Sequence, residues 1–435
     1  MRVHTLKTTL ILALASTLAA CAALVDPDPN ETERAVAAPV DDPIVLLIGL
    51  DGLRFDAIDR HPAPNLQALA ARGTRPQRMI PVMPSKTFVN FYSIATGLYP
   101  EDHGMITNAP YDRVYDEVFS NRGGGPQDPR WWAGEPIWTT AEAQGRRAHV
   151  MFWLGSEVEG RRPTVWHPYQ HDKPYEERVA EVLAWFDAPL DEQPDFAAVY
   201  FDHVDSITHR AGPFTEAEGQ AVARVDALVG NLVDGLTERG LLERTTIIVV
   251  SDHGMAPVNN SDRVIFIDDY AELEGLYMPE VQGRYGAGLN PYIFGYGDAE
   301  TVSRVHAAMQ GAHPELEVFT RDTMPDHFHF DHETRGPDMI FLPSPRWSVT
   351  LREADLASPY QANLRGNHGY DNMEMDMGAT FIGAGPIFPQ GARPDAFENV
   401  NVYGLMACAL GLDPADTAGD DATLARLTDG RCGTP

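Results

Sequence analysis

Short apolar runs alternate with polar clusters along the chain, and this rhythm predicts strands that are each followed by a helix. Ile44 to Leu50 is apolar throughout, broken only by Gly49, and Asp51-Gly52 follows at once. An apolar run without alternation suits a parallel strand buried on both faces. Comparable runs are Ala148 to Trp153, Phe196 to Phe201 and Thr245 to Val250. Each leads into polar chemistry, at Gly155-Ser156-Glu157, Asp202-His203 and Ser251-Asp252-His253-Gly254. Ala63 to Arg72 and Thr215 to Arg239 carry the apolar spacing of helices, with Thr215 as N-cap and Gly240 at the C-terminal end. The alternation predicts an α/β fold, a mostly parallel central sheet with helices on both faces. Such sheets bind ligands at the carboxyl ends of their strands, where the polar clusters stand.

Two stretches break the rhythm. From about 257 to 359, glycines and prolines mix with short strand-like pieces such as Pro291-Tyr292-Ile293-Phe294, which predicts a smaller inserted subdomain. At the start, Arg2 and Lys7 precede the apolar run Thr9 to Ala15, which is too short to span a bilayer as a helix. With the small residues after it, this reads as a secretory signal over residues 1–20. Leu18-Ala19-Ala20-Cys21 resembles a bacterial lipobox. That resemblance implies cleavage before Cys21 and lipidation of its sulfur. Because neither Ala22 nor Ala23 is Asp, it also implies an outer-membrane lipoprotein facing the periplasm. Residues 21–42, rich in Asp, Pro, Glu, Ala and Thr, read as a flexible tether, and 43–435 as the catalytic domain. The other two cysteines, Cys408 and Cys432, lie close in sequence and are expected to pair in an oxidising compartment.

Charge narrows the ligand. The chain is 43% hydrophobic and 22% charged, an ordinary globular composition, but its formal net charge is −30. Nothing basic tracks a phosphate backbone, which argues against a nucleic-acid polymer as partner. A small phosphate-bearing substrate would need a local positive centre, and bound metal ions supply one.

The strand-end residues fit that role. Asp51 and Asp252-His253 follow apolar strands; Asp205 and His209 are spaced i, i+4 and share one helical face; His368 sits in the loop Gly366-Asn367-His368-Gly369. Three aspartates and three histidines form an N/O set that zinc accepts, enough for two ions about 4 Å apart. A nucleophile is needed too. Pro84-Ser85-Lys86-Thr87-Phe88 precedes the helix-like Val89 to Thr96. A hydroxyl there can act as a plain helix N-cap, or can attack phosphorus while backbone N–H groups face the phosphate. Chemistry alone does not choose between Ser85 and Thr87. The alternation His327-Phe328-His329-Phe330 predicts a strand with histidines on one face rather than a third metal site with His332, Asp326 and Asp331. Trp131, Trp132 and Trp138 read as packing or pocket wall, and Lys86 and Arg54 as groups orienting the neighbouring ligands.

The chain resembles the nucleotide pyrophosphatase/phosphodiesterase family of the alkaline phosphatase superfamily. The segments that carry the resemblance are IGLDGLR at 48–54, PSKTFVNFYSIATGLYPEDHGM at 84–105, FWLGSE at 152–157, YFDHVDSITHRAGP at 200–213, SDHGM at 251–255 and GNHGYDN at 366–372. It implies an alkaline-phosphatase-like three-layer sandwich and two zinc ions. It implies that Thr87 is the nucleophile and that Asp51, Thr87, Asp252 and His253 hold one zinc. Asp205, His209 and His368 would hold the other. Asn108 matches the asparagine that donates to a phosphate oxygen beside the Thr87 amide, and Phe88 and Tyr200 match the aromatic pair that brackets a nucleobase. The sequence departs from the family's pattern at Val89, Thr208 and His203-Val204, none of them a matched ligand.

The implied activity is hydrolysis of nucleotide phosphodiester or pyrophosphate bonds through a phospho-Thr87 intermediate. Alternatives on the same fold are a choline phosphodiesterase, decided by the pocket, and a phosphomonoesterase, which would need an extra cation. No Cys stands at the nucleophile position, which disfavours a sulfatase. An inactive metal-binding lipoprotein would lack a ligand or the nucleophile, and none is missing.

Overall fold

The computed structural model describes residues 42–259, 261–283 and 288–434. The segment expected to be a signal sequence, Cys21 and the expected tether through residue 41 lie outside the described residues. Among the described residues no helix is long and apolar enough to cross a membrane.

The central sheet has seven strands: β1 (Ile44–Leu50), β2 (Gly73–Thr74), β3 (Ala148–Met151), β4 (Val165–His167), β5 (Phe196–Phe201), β6 (Thr245–Val250) and β7 (Phe381–Ala384). Their order across the sheet is β2-β7-β6-β1-β5-β3-β4. β6, β1, β5, β3 and β4 pair in parallel, and β7 runs antiparallel between β6 and β2. β1 therefore lies at the centre, which is why all seven of its residues are buried. Its pleat sends Leu46 and Ile48 into one apolar cluster and Val45 and Leu47 into another on the opposite face. α1 (Pro64–Ala71), α4 (Tyr175–Trp185) and α6 (Glu216–Glu238) cover the first face; α2 (Thr87–Thr96), α3 (Ile137–Ala143) and α7 (Asn401–Leu410) cover the second. The three-layer α/β sandwich expected from the alternation is thus present. Thr215 caps α6 as expected, its Oγ1 accepting from the Glu218 N–H at 3.2 Å. The run expected to continue to Trp153 stops at Met151, because Phe152 takes φ 65°, which no strand accommodates.

Gly49 is required by packing. A Cβ there would stand 2.9 Å from the rings of Phe91 and Trp153, so any larger residue would push α2 off the sheet.

The stretch 257–359 contains a three-stranded antiparallel sheet of Ile293–Gly295, Met339–Pro343 and Leu316–Thr320, with Met339–Pro343 central. The helix Ala299–Met309 packs Val305 and Met309 against it. Arg335 ties this region to the segment after α2. Its Nε donates to Asp112 at 2.9 Å, and its guanidinium donates to the carbonyls of Gly104, Trp131 and Arg130 at 2.9, 3.0 and 2.6 Å. The pair is almost wholly buried. Arg335→Met would leave Asp112 charged and short of a partner, so it is expected to lower unfolding free energy by roughly 3–5 kcal/mol. The denaturant midpoint measures this; a change within error would show that the network is not holding the two regions together.

Near the C-terminus, Cys408 of α7 and Cys432 are disulfide-bonded, with Cα atoms 5.9 Å apart.

Candidate active site

The sheet brings three strand ends to one place. Asp51 follows β1, and Gly52 turns the chain with φ 69°. A Cβ on Gly52 would lie 2.9 Å from the Asp205 backbone, so only glycine lets the two segments meet. The Asp205 N–H donates to the Asp51 carbonyl at 3.0 Å. Asp205 and His209 stand one turn apart on α5 (His203–Ala211), Oδ1 to Nε2 3.3 Å. Asp252 and His253 follow β6. Gly366–Asn367 pairs antiparallel with Ala256–Pro257 just beyond them, and this carries His368 across to His253, the two rings stacked at 3.5 Å.

Asp51, Asp252 and His253 present ligand atoms within 4.8 Å of one another, and so do Asp205, His253 and His368. His209 joins the second group, its Nε2 3.2 Å from that of His368. His253 thus stands between the two sets and reaches both.

The hydrogen bonds fix how the imidazoles face. His209 Nδ1 donates to the Gly366 carbonyl at 2.9 Å, His253 Nδ1 to Gly254 at 2.8 Å and His368 Nδ1 to Ser85 at 2.7 Å. A carbonyl can only accept, so each Nδ1 carries the proton and each Nε2 of a neutral ring turns a lone pair inward. Burial holds His253 and His368 below the ordinary histidine range, and for His368 the neighbouring His253 and Lys86 add to it. His253 Nε2 then lies 2.8 Å from Asp252 Oδ2, acceptor against acceptor. Asp51 Oδ1, Asp205 Oδ1 and Asp252 Oδ2 are buried with no hydrogen-bond partner. Lone pairs converging in this way need cations among them, and the donor set is one that zinc accepts. Without a cation, burial pushes Asp252 up to about 7. Burial, then Asp252 and Asp205, push Asp51 well above the carboxylate range.

The two candidate hydroxyls face different ways. Ser85 is buried and its Oγ donates to the Tyr370 carbonyl at 3.0 Å, pointing away. Lys86 is the N-cap of α2, and Thr87 is its first helical residue, so Thr87 does not cap. Thr87 Oγ1 instead lies 3.5 Å from His253 Nε2. Asn108 Oδ1 accepts from the Phe88 N–H at 2.9 Å, which leaves its NH2 group as the free donor beside the helix start. The bond to the Phe88 N–H places the Asn108 amide beside the first turn of α2. These groups share a cavity of about 300 Å³.

Tyr200 and Phe88 do not form the expected facing pair. The Tyr200 hydroxyl donates to Asp51 Oδ2, and its ring meets Phe91 edge-on at 5.3 Å. The strand geometry of β5 points it inward, as a positioning contact for Asp51. The exposed ring on that side is Tyr169, 44% exposed and 5.9 Å from Tyr200. Sequence reasoning missed Tyr169 because it lies in an irregular segment after β4. Phe88 packs against Phe119 and Trp132, and Trp132 is buried in that cluster, so it serves as packing.

Other expectations changed. Asp326–Phe328 forms a single 3-10 turn and His329 takes φ 51°, so no strand forms. His327 faces Asp371, His329 faces Glu101, and His332 Nδ1 accepts from the Thr334 N–H. Arg54 holds Asp56 and Asp376 rather than a candidate ligand. Lys86 does line the cavity, and burial lowers its pKa to about 8.

A family model described as type I phosphodiesterase / nucleotide pyrophosphatase matches residues 45–371. The chain belongs to this family. Among its relatives, human ectonucleotide pyrophosphatase/phosphodiesterase family member 1 is 34% identical over 419 residues, covering 94% of this chain and 44% of the human protein. Venom phosphodiesterase of Naja atra is 32% identical over 388 residues, 88% of this chain and 46% of its own length. The chain therefore spans about half the length of the curated relatives it matches. Among solved structures, murine ectonucleotide pyrophosphatase/phosphodiesterase 5, as an inactive variant in complex with AMP, superposes with a TM-score of 0.80 at 27% identity, covering 88% of this chain and all of that one.

Proposed function

We propose that this family member is a two-zinc phosphodiesterase that cleaves phosphodiester or pyrophosphate bonds of small nucleotides, with Thr87 as nucleophile. The observation that carries the reading is the placement of Thr87 Oγ1 beside His253 at the start of α2, where the two candidate ligand groups meet. Asp51, Asp252, His253 and Thr87 would hold one ion and Asp205, His209 and His368 the other. Zinc in these positions supplies a lowered hydroxyl pKa and compensation for charge on the leaving oxygen.

The remaining work falls to the chain's own groups. Thr87 Oγ loses its proton to solvent and bonds to phosphorus as the bond to the leaving oxygen breaks. The Asn108 NH2 group and the N–H groups at the start of α2 donate to the phosphoryl oxygens as charge builds on them. Water then attacks the phosphorus of the Thr87-bound nucleotidyl group, the Oγ–P bond breaks and Thr87 regains a proton. The net reaction adds one water and yields a phosphomonoester and a free alcohol or phosphate. Phe88 and Tyr169 offer apolar faces on which a nucleobase can stack with little discrimination among bases. The lipobox-like Leu18 to Cys21 supports attachment to the periplasmic face of a membrane.

The test is a substrate comparison with the zinc-loaded protein. The 4-nitrophenyl ester of thymidine monophosphate is expected to be hydrolysed with a higher kcat/KM than 4-nitrophenyl phosphate or glycerophosphocholine. Faster turnover of the monoester would overturn the diesterase reading, and preference for the choline diester would replace the nucleotide with a lipid headgroup.

A further inference from the structure

The space over the nucleophile does not end there. The cavity of about 300 Å³ that holds Thr87, Asp205 and His209 shares Lys86, Asn108, Asn290 and Gln361 with a second cavity of about 500 Å³. The second cavity reaches Glu280 in the inserted region. Neither cavity is lined by Phe88 or Tyr169. A substrate whose phosphorus sits over Thr87 can therefore extend one of its two halves along this groove, away from those rings.

Glu280 has no part in the chemistry above. Its Oε2 accepts from the Phe294 N–H at 3.2 Å, which fixes the carboxylate on the inserted sheet. Its Oε1 is buried with no hydrogen-bond partner. A carboxylate oxygen cut off from water and left unpaired is costly, and such groups are kept where a ligand completes them. Lys86 stands on the wall common to both cavities, and the two charges act on each other across the space.

We propose that the groove is a subsite for the leaving half of the substrate, in which Glu280 accepts hydrogen bonds from the hydroxyls of a sugar. The proposal rests on the phosphodiesterase reading and names the chemistry of the departing group. A carboxylate selects donors. A cationic headgroup would meet the Lys86 ammonium on the same wall, whereas a vicinal diol brings two neutral donors that one carboxylate accepts together.

The experiment compares zinc-loaded wild type with Glu280→Gln and Glu280→Ala. One substrate is ADP-ribose, whose hydrolysis yields AMP and ribose 5-phosphate, so the leaving half carries the diol. The second is the 4-nitrophenyl ester of thymidine monophosphate, whose leaving group has no donor. Glycerophosphocholine is the third. Both variants are expected to raise KM for ADP-ribose about tenfold, with kcat little changed and KM for the nitrophenyl ester unaltered. Glu280→Gln keeps the side-chain volume and an acceptor for Phe294, so its melting temperature should not fall. An unchanged KM for ADP-ribose, an equal change for the nitrophenyl ester, or a change confined to glycerophosphocholine would overturn the sugar subsite while leaving the phosphodiesterase reading intact. Failure of the unaltered protein to hydrolyse either nucleotide substrate would remove that reading, and the subsite with it.

Discussion

Thr87→Ala is expected to lower kcat for nucleotide diesters by about 10⁴-fold or more, the scale seen when a covalent nucleophile is deleted. The loss should fall on kcat rather than KM. Asn108 keeps its hold on the Phe88 N–H in the variant, and the donors at the start of α2 are backbone groups, so substrate should still bind. The fold should tolerate the change, because Thr87 is the first helical residue rather than the cap and alanine suits that position. Thr87→Ser offers a control, since it restores a hydroxyl at the same place and should recover a large part of the rate. Rapid quenching of wild type during turnover should trap the nucleotidyl group on Thr87, and the alanine variant should trap none. A Thr87→Ala protein with full activity would sink the covalent mechanism. A Ser85→Ala protein with the larger loss would move the nucleophile two residues upstream, against the observed bond from Ser85 Oγ to Tyr370.

Chelation should abolish activity by more than about 10³-fold, with zinc restoring it. It should also change stability in a pH-dependent way. In the metal-free protein burial raises Asp252 to about 7, and Asp51 is raised as well. Between the unfolded aspartate range and about 7, the folded state then binds more protons than the unfolded state. Unfolding free energy accordingly falls as pH rises through this window, and the penalty of the buried charge is fully present above it. Metal displaces those protons and binds best where they are already lost. Zinc is thus expected to raise the melting midpoint by roughly 5 °C or more at pH 8, and by less at pH 6.5. Buried histidines such as His103 and His149, held below the ordinary value by burial, oppose this slope from about pH 6.5 downward, but they do so with and without zinc, so the zinc-induced shift does not depend on them. A zinc-induced shift equal or larger at pH 6.5 would contradict the role of the buried aspartates.

Much of this site was legible along the chain because its parts are local. Asp51 and Asp252-His253 stand at the ends of apolar runs, and a run buried on both faces advertises itself without any partner strand in view. Asp205 and His209 share a face because a helix repeats every 3.6 residues, whatever else it packs on. The Lys86-Thr87-Phe88 segment carried the family resemblance, and the family match over 45–371 agrees with it.

Other features depend on segments far apart. His368 meets His253 only because Gly366–Asn367 pairs with Ala256–Pro257, more than a hundred residues away along the chain. No local periodicity records that pairing. Tyr200 sits in β5 with the spacing of a wall residue, but register against β1 aims its hydroxyl at Asp51 and takes it out of the pocket's aromatic face. His327 to Phe330 alternates like a strand, yet partners from two different segments pull its histidines apart, and a left-handed residue at His329 ends the extended path.

The sequence by itself determined the layers of the fold and the donor types at each strand end, since burial pattern and side-chain chemistry are properties of single segments. The tertiary structure decided which hydroxyl faces the candidate ligands, which aromatic ring stays exposed, and that Glu280 lines a cavity together with Lys86 and Asn108. Those outcomes depend on distances between segments, and such distances exist only after the chain has folded.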